Sequence, residues 1–175
     1  MAGQRTAAAQ AVIVPWDVPA RAGASGPISA TKDTAMLMRS CVILALLLGV
    51  LALANGAFML YAPSAWYFAV PGVTTTGPFN QHFIRDIGLV FLFLGAAFLI
   101  GAARPQYRVV CWGGSTVWLL GHALFHYWEV AVGICGPSAI LRDFPAVSLP
   151  ALLGLAITTC AALNPTKTAT EGEYR

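Results

Sequence analysis

Apolar residues run almost unbroken through four windows of the chain, 38–61, 84–103, 107–130 and 145–163, and polar residues collect between them. A hydrocarbon core about 30 Å thick takes about 20 helical residues to cross, so each window predicts a membrane-spanning helix. Only "RPQ" and its neighbours separate the second window from the third, which makes those two an antiparallel hairpin. The fourth window carries Pro150, tolerable in a first helical turn. The pattern predicts an all-α membrane protein, an antiparallel bundle of four transmembrane helices over residues 37–164.

Residues 1–36 differ in kind. They are rich in Ala, Gly, Ser, Thr and Pro without apolar periodicity and read as a disordered or loosely ordered tail, and 165–175 read as a polar C-terminal tail. The acid-poor, Ala-rich composition of 1–36 suits a targeting presequence, Asp17 and Asp33 argue against one, and a start at Met36 or Met38 accounts for it equally well. Arg39, the apolar run from Cys41 and "ALA" at 52–54 also resemble a cleaved signal peptide, but the run continues through "FML" to the length of a full span.

Composition agrees with lipid as the solvent. The chain is 58% hydrophobic and 10% charged, where soluble domains carry about a quarter charged residues. Its net charge of +3 is scattered, with no basic patch of the kind that grips nucleic acid. The charges do set an orientation. Arg5, Arg21, Lys32, Arg39, Arg104, Arg108, Lys167 and Arg175 fall on the side of both termini and only Arg85 and Arg142 on the other, so the positive-inside rule puts both termini in the cytoplasm, in a bacterial cytoplasmic membrane.

That orientation brings polar residues to one depth near the extracytoplasmic face. The second helix starts there with Asn80, His82, Arg85 and Asp86, the third ends there with His122, His126 and Glu129, the fourth begins beside Arg142 and Asp143, and Asn55 lies in the outer third of the first. His122, His126 and Glu129 stand within about 60° of one another on a single helix face, with His122 about 10 Å deeper than Glu129. Trp118, Ser115 and Cys111 continue that stripe inward. A neutral imidazole as deep as His122 needs a hydrogen-bond partner, and Asn55 is the nearest in prospect. Arg85 and Arg142 are the expected partners of Asp86 and Glu129, and in the plainest account these charged residues are helix ends that pair, snorkel and fix register.

The outer loop 61–83 supplies an aromatic belt, in which "PSAWYFAV" predicts a short helix in the membrane plane and "PG" and "TTTGP" predict turns, placed to roof the polar cluster. Glycines 88, 95, 101, 113, 114 and 121 offer close helix approach.

Three chemistries compete for the cluster of His82, Arg85, Asp86, His122, His126, Glu129 and Asn55. A divalent metal would take three or four ligands from His122, His126, Glu129 and His82. A quinone head group lodged under the aromatic loop would exchange a proton with His126 and Glu129. A partner or assembly subunit, alone in contact with the lipid bilayer, with another membrane protein or with copies of itself, would use the cluster only to hold its fold. Thiol redox chemistry needs a close cysteine pair; Cys41, Cys111, Cys135 and Cys160 include no CxxC and predict none. Haem needs opposed imidazoles, which two histidines on one helix do not give.

The segments "NGAFMLYAPSAWY", "GPFNQHFIRDIG" and "GHALFHYWE" together resemble a group of small uncharacterised bacterial four-helix membrane proteins, and in size and layout the chain is similar to the DoxX-like proteins. The resemblance covers about 38–163. It implies the four-helix fold and the membrane location. Because some DoxX proteins are linked to quinone-dependent sulfur oxidation, it also leans toward a redox role, although no catalytic motif of theirs matches residue by residue.

Overall fold

The computed structural model describes residues 27–165. They form six α-helices: α1 (Pro27–Tyr61), α2 (Pro63–Ala69), α3 (Gln81–Ala103), α4 (Arg108–Ala131), α5 (Ser138–Asp143) and α6 (Ser148–Leu163). No strand occurs among the described residues.

Helix boundaries follow local chemistry. The first helix starts eleven residues before the predicted window, at Pro27 rather than 38, because 28–37 contains neither Pro nor Gly to stop a helix propagating outward from the apolar run. The stretch 27–36 belongs to α1, and the rest of the predicted tail, 1–26, lies outside the described residues, as does 166–175. Helix α3 opens three residues early because the Asn80 side chain caps it, accepting a hydrogen bond from the Phe83 amide at 3.1 Å. Helix α4 stops where Gly133 takes a left-handed φ of +81°, which lets the Ile134 and Cys135 amides fold back onto the Glu129 carbonyl. The fourth predicted span loses its first three residues to a turn at 144–147, so α6 has 16 residues and is about 24 Å long.

Two of these helices, α1 from Lys32 onward and α3, are long and apolar enough to cross a membrane. In each, only 28% of the most apolar window is buried, whereas a helix in a soluble core is mostly covered.

The long helices pack in antiparallel neighbours. On α1, Gly49 and Gly56 meet Gly95 and Gly88 of α3, so the two backbones touch: a Cβ on Gly56 would lie 2.6 Å from the Gly88 carbonyl oxygen. Gly113, Gly114 and Gly121, expected to work similarly in α4, bring no backbone close, and Gly114 and Gly121 face open space. Helix α3 meets α4 through Trp112, which is fully buried and donates from its indole N–H to the Phe98 carbonyl at 3.1 Å across Gly101. Helix α4 meets α6 through the hydroxyls of Thr116 and Thr158, 3.1 Å apart, and of Tyr127 and Ser148, 2.7 Å apart. Helix α6 returns to α1, so the main core runs continuously through Ala45, Leu48, Phe98, Trp112, Leu119 and Ile157.

The outer loop forms the predicted short helix, α2, with Pro63 in its first turn. Trp66 donates to the Asn55 side chain at 2.9 Å, Tyr67 donates to the Gly77 carbonyl at 2.7 Å, and Tyr67 with Met59 and Ile84 makes a second, smaller core.

Candidate functional site

The polar end of the molecule is assembled by the segment between α4 and α6. Gly133 ends α4, Pro137 opens α5, and α5 carries Arg142 and Asp143 back over the last turns of α4. Arg142 grips its neighbour with two hydrogen bonds, Nε to Oδ1 at 2.6 Å and NH2 to Oδ2 at 2.9 Å. The same carboxylate faces His126, Nδ1 to Oδ2 at 3.5 Å. Arg142's hydrogen bonds hold the Asp143 carboxyl below its ordinary value despite partial burial, and His126 adds to that.

Below this pair the rings stack inward. The His126 and His122 rings meet edge to face at 4.7 Å, His122 lies nearly parallel to Trp118 at 5.0 Å, and Trp118 meets Phe91 of α3 edge to face at 5.4 Å. Above the pair, Gly72 of the outer loop sits against the Arg142 guanidinium with φ +88°, so closely that a Cβ there would overlap it. A column thus runs from the outer loop through Arg142, Asp143, His126 and His122 to Trp118. Beside it His126, Tyr127, Cys135, Asp143 and Ser148 line a cavity of about 10 Å³, room for one water.

The predicted cluster is only partly gathered here. His122 and His126 touch as their spacing implies, and Asp143, outside the predicted set, completes their column. Arg85 donates to the Leu60 carbonyl at 3.1 Å, closing the C-terminal end of α1 instead of pairing with a carboxylate. Asp86 pairs within its own helix with His82 at 3.2 Å, and both side chains are largely exposed. Asn55 serves Trp66 and the Met59 sulfur, so it is not the partner of His122, which packs between rings instead. Glu129, expected at the helix exit among headgroups, is buried at 8% exposure, and neither arginine reaches it. Among the described residues no three His, Cys, Asp or Glu side chains come together as a metal ion would require, so His122, His126, Glu129 and His82 are not gathered into a ligand set.

Sequence reasoning brought Asp143 to the same depth but left it out of the cluster, and it gave Tyr127, Ser148 and Cys135 no part in it. Asp143 lies seventeen residues beyond His126, and the signal for their meeting is "GICGP", a left-handed glycine and a Gly-Pro turn that reverse the chain at once. At the opposite end, Cys41 of α1 and Cys160 of α6 are both buried free thiols within the main core.

Compared with family models, with curated proteins and with solved structures, the chain matches none.

Proposed function

We propose that the chain is an integral protein of a bacterial cytoplasmic membrane, with α1, α3, α4 and α6 all crossing and both termini in the cytoplasm, and that it serves as a partner or assembly subunit without a reaction of its own. The observation that carries this reading is the inside-out pattern of α4. Its outward stripe is Val110, Val117 and Leu124, exposed at 75%, 72% and 66%, while Ser115, Thr116 and Glu129 are buried at 2%, 3% and 8%. In water such a helix would turn the other way; in lipid, polar side chains face the protein interior. With 24 residues, α4 is long enough to span, and its low apolarity reflects what it buries. The 16-residue α6 is short for about 30 Å of hydrocarbon, which tilted neighbours and local thinning accommodate.

The polar end supports a structural role because its groups satisfy one another. Arg142, Asp143 and His126 form a latch between α5 and α4, Gly72 seats the outer loop on it, and the adjoining cavity admits one water and no organic substrate. The DoxX-like resemblance fits the same layout. Topology is tested by thiol labelling in intact cells: a cysteine replacing Gln106 in a cysteine-free background should be shielded from an impermeant reagent and one replacing Gly77 modified, and the reverse result contradicts the orientation. Function is tested by the mass of the gently solubilised native complex. A complex heavier than the 18.4 kDa chain is expected, and a monomer carrying a stoichiometric cofactor contradicts the reading.

A second reading, a quinone-linked redox subunit, is favoured by the continuous Asp143–His126–His122 column, which has the composition of a proton relay. It predicts a quinone co-extracted with the wild-type protein and lost from His126→Ala.

A further inference from the structure

The end of the bundle away from the polar latch gathers three arginines at one level, from α1, the end of α3 and the start of α4. Gly49 lies on the Gly95 carbonyl and Gly56 on the Gly88 carbonyl, and both contacts give the same antiparallel register. Continued ten residues from Gly49, that register brings Arg39 of α1 level with Pro105, beside Arg104. A single turn, Pro105–Tyr107, separates Arg104 from Arg108, and the packing of Trp112 on Gly101 keeps the ends of α3 and α4 level. On the opposite side Arg142 is taken by Asp143 and Arg85 by the Leu60 carbonyl. Among the described residues no hydrogen bond or ion pair engages Arg39, Arg104 or Arg108. Arg108 is nevertheless held in place: its guanidinium lies 5.7 Å over the Trp112 ring, and its Nε is buried without an acceptor. Among the described residues the carboxylate at this end is Asp33, six residues further out on α1, about 9 Å along the axis, and next to Lys32.

We propose that Arg39, Arg104 and Arg108 hold the phosphate of an anionic phospholipid headgroup, a site that rests on the membrane-spanning reading. Arg39 is 22 residues from Tyr61, about 33 Å of helix, close to the thickness of the hydrocarbon core. With Tyr61 at the outer interface, the three arginines therefore stand at the level of the inner phosphates. Guanidinium groups suit phosphate oxygens because each offers paired N–H donors with charge assistance. Ile43 and Val110, exposed at 57% and 75% just inward of Arg39 and Arg108, give the acyl chains an apolar surface that a free phosphate ion would not need. A zwitterionic headgroup brings its own cation and leaves the three charges uncompensated, so the preference is for a lipid of net negative charge.

The test is native mass spectrometry of the full-length protein in mild detergent, delipidated and titrated with phosphatidylglycerol, phosphatidylcholine or inorganic phosphate. One phosphatidylglycerol per chain is expected, held more than about tenfold more tightly than phosphatidylcholine and not displaced by millimolar inorganic phosphate. At about 1 kcal/mol per arginine near an anionic surface, Arg39→Gln, Arg104→Gln and Arg108→Gln should each weaken phosphatidylglycerol binding about fivefold. The triple variant should lose the preference, and Arg85→Gln at the opposite end should bind as wild type. The comparison of the two lipids on the wild type needs no variant to fold. The proposal is overturned if the wild type binds both lipids equally, if the triple variant keeps the preference, or if inorganic phosphate displaces the lipid, which would make the site one for a free anion. Release of the native chain from membranes by alkaline carbonate would contradict the membrane reading and the lipid site with it, whereas a chain that resists carbonate and shows no lipid preference contradicts the lipid site alone.

Discussion

The two halves of the molecule bury helices by different means. In the α1–α3 pair the helices are apolar on every side and meet through glycines seven residues apart, Gly49 and Gly56 against Gly95 and Gly88, so that backbone lies on backbone. In the α4–α6 pair hydroxyls join the helices, Thr116 with Thr158 and Tyr127 with Ser148, beside buried apolar residues such as Leu119 and Ile157. In the membrane proposed for this chain, lipid would offer no hydrophobic drive between helices, and association would rest on close packing or on interhelical hydrogen bonds. This chain uses one in each half, and Trp112 joins the halves by doing both.

The largest effect is expected at that junction. Trp112→Ala empties a fully buried site and removes the bond to Phe98, and should lower stability in detergent by about 3–5 kcal/mol, read from a denaturant or thermal unfolding series. Next comes the glycine seam: Gly95→Leu drives a side chain into Leu53 and the Gly49 carbonyl and should cost about 1–3 kcal/mol, while Gly121→Ala, facing open space, should be neutral or stabilising. A seam variant as stable as the wild type would show that backbone contact does not hold α1 to α3.

The outer loop follows. Gly72→Ala forces a side chain into a left-handed conformation against Arg142 and should cost about 1–3 kcal/mol. The latch also has a pH signature. Arg142 depresses the Asp143 carboxyl, so its contribution is complete above the ordinary value of 3.8 and is lost as pH falls through the lower, folded value. Acid unfolding below about pH 4 should therefore be less steep in Asp143→Asn than in the wild type. The smallest effect belongs to the hydroxyl half, where Thr158→Val should cost about 0.6 kcal/mol, the usual size of a hydrogen bond between membrane helices.

The same contrast explains what the sequence made legible. Long apolar runs declare themselves, so the helices, apart from the eleven-residue extension at the start of α1, the α3–α4 hairpin and the short α2 helix were readable to within a few residues. The i, i+4 spacing of His122 and His126 was enough to place those rings together. Partners across a turn were not readable, because the reversal at Gly133 and Pro137 decides which of Asp86, Glu129 and Asp143 meets His126, and periodicity carries no information about that choice. That Cys41 and Cys160 share one core was hidden for a similar reason: nothing local to either residue tells that α6 returns to α1.

The most direct test of a self-satisfied polar end is a double-mutant cycle on His126 and Asp143, run on purified protein stripped of metal with a chelator. If the two side chains serve each other, the stability losses of His126→Ala and Asp143→Ala will sum to more than the loss of the double variant, the excess being a coupling of about 1 kcal/mol between them. Strictly additive losses in the stripped protein, with coupling appearing only when a metal or quinone is restored, would contradict the latch and make the column a ligand site.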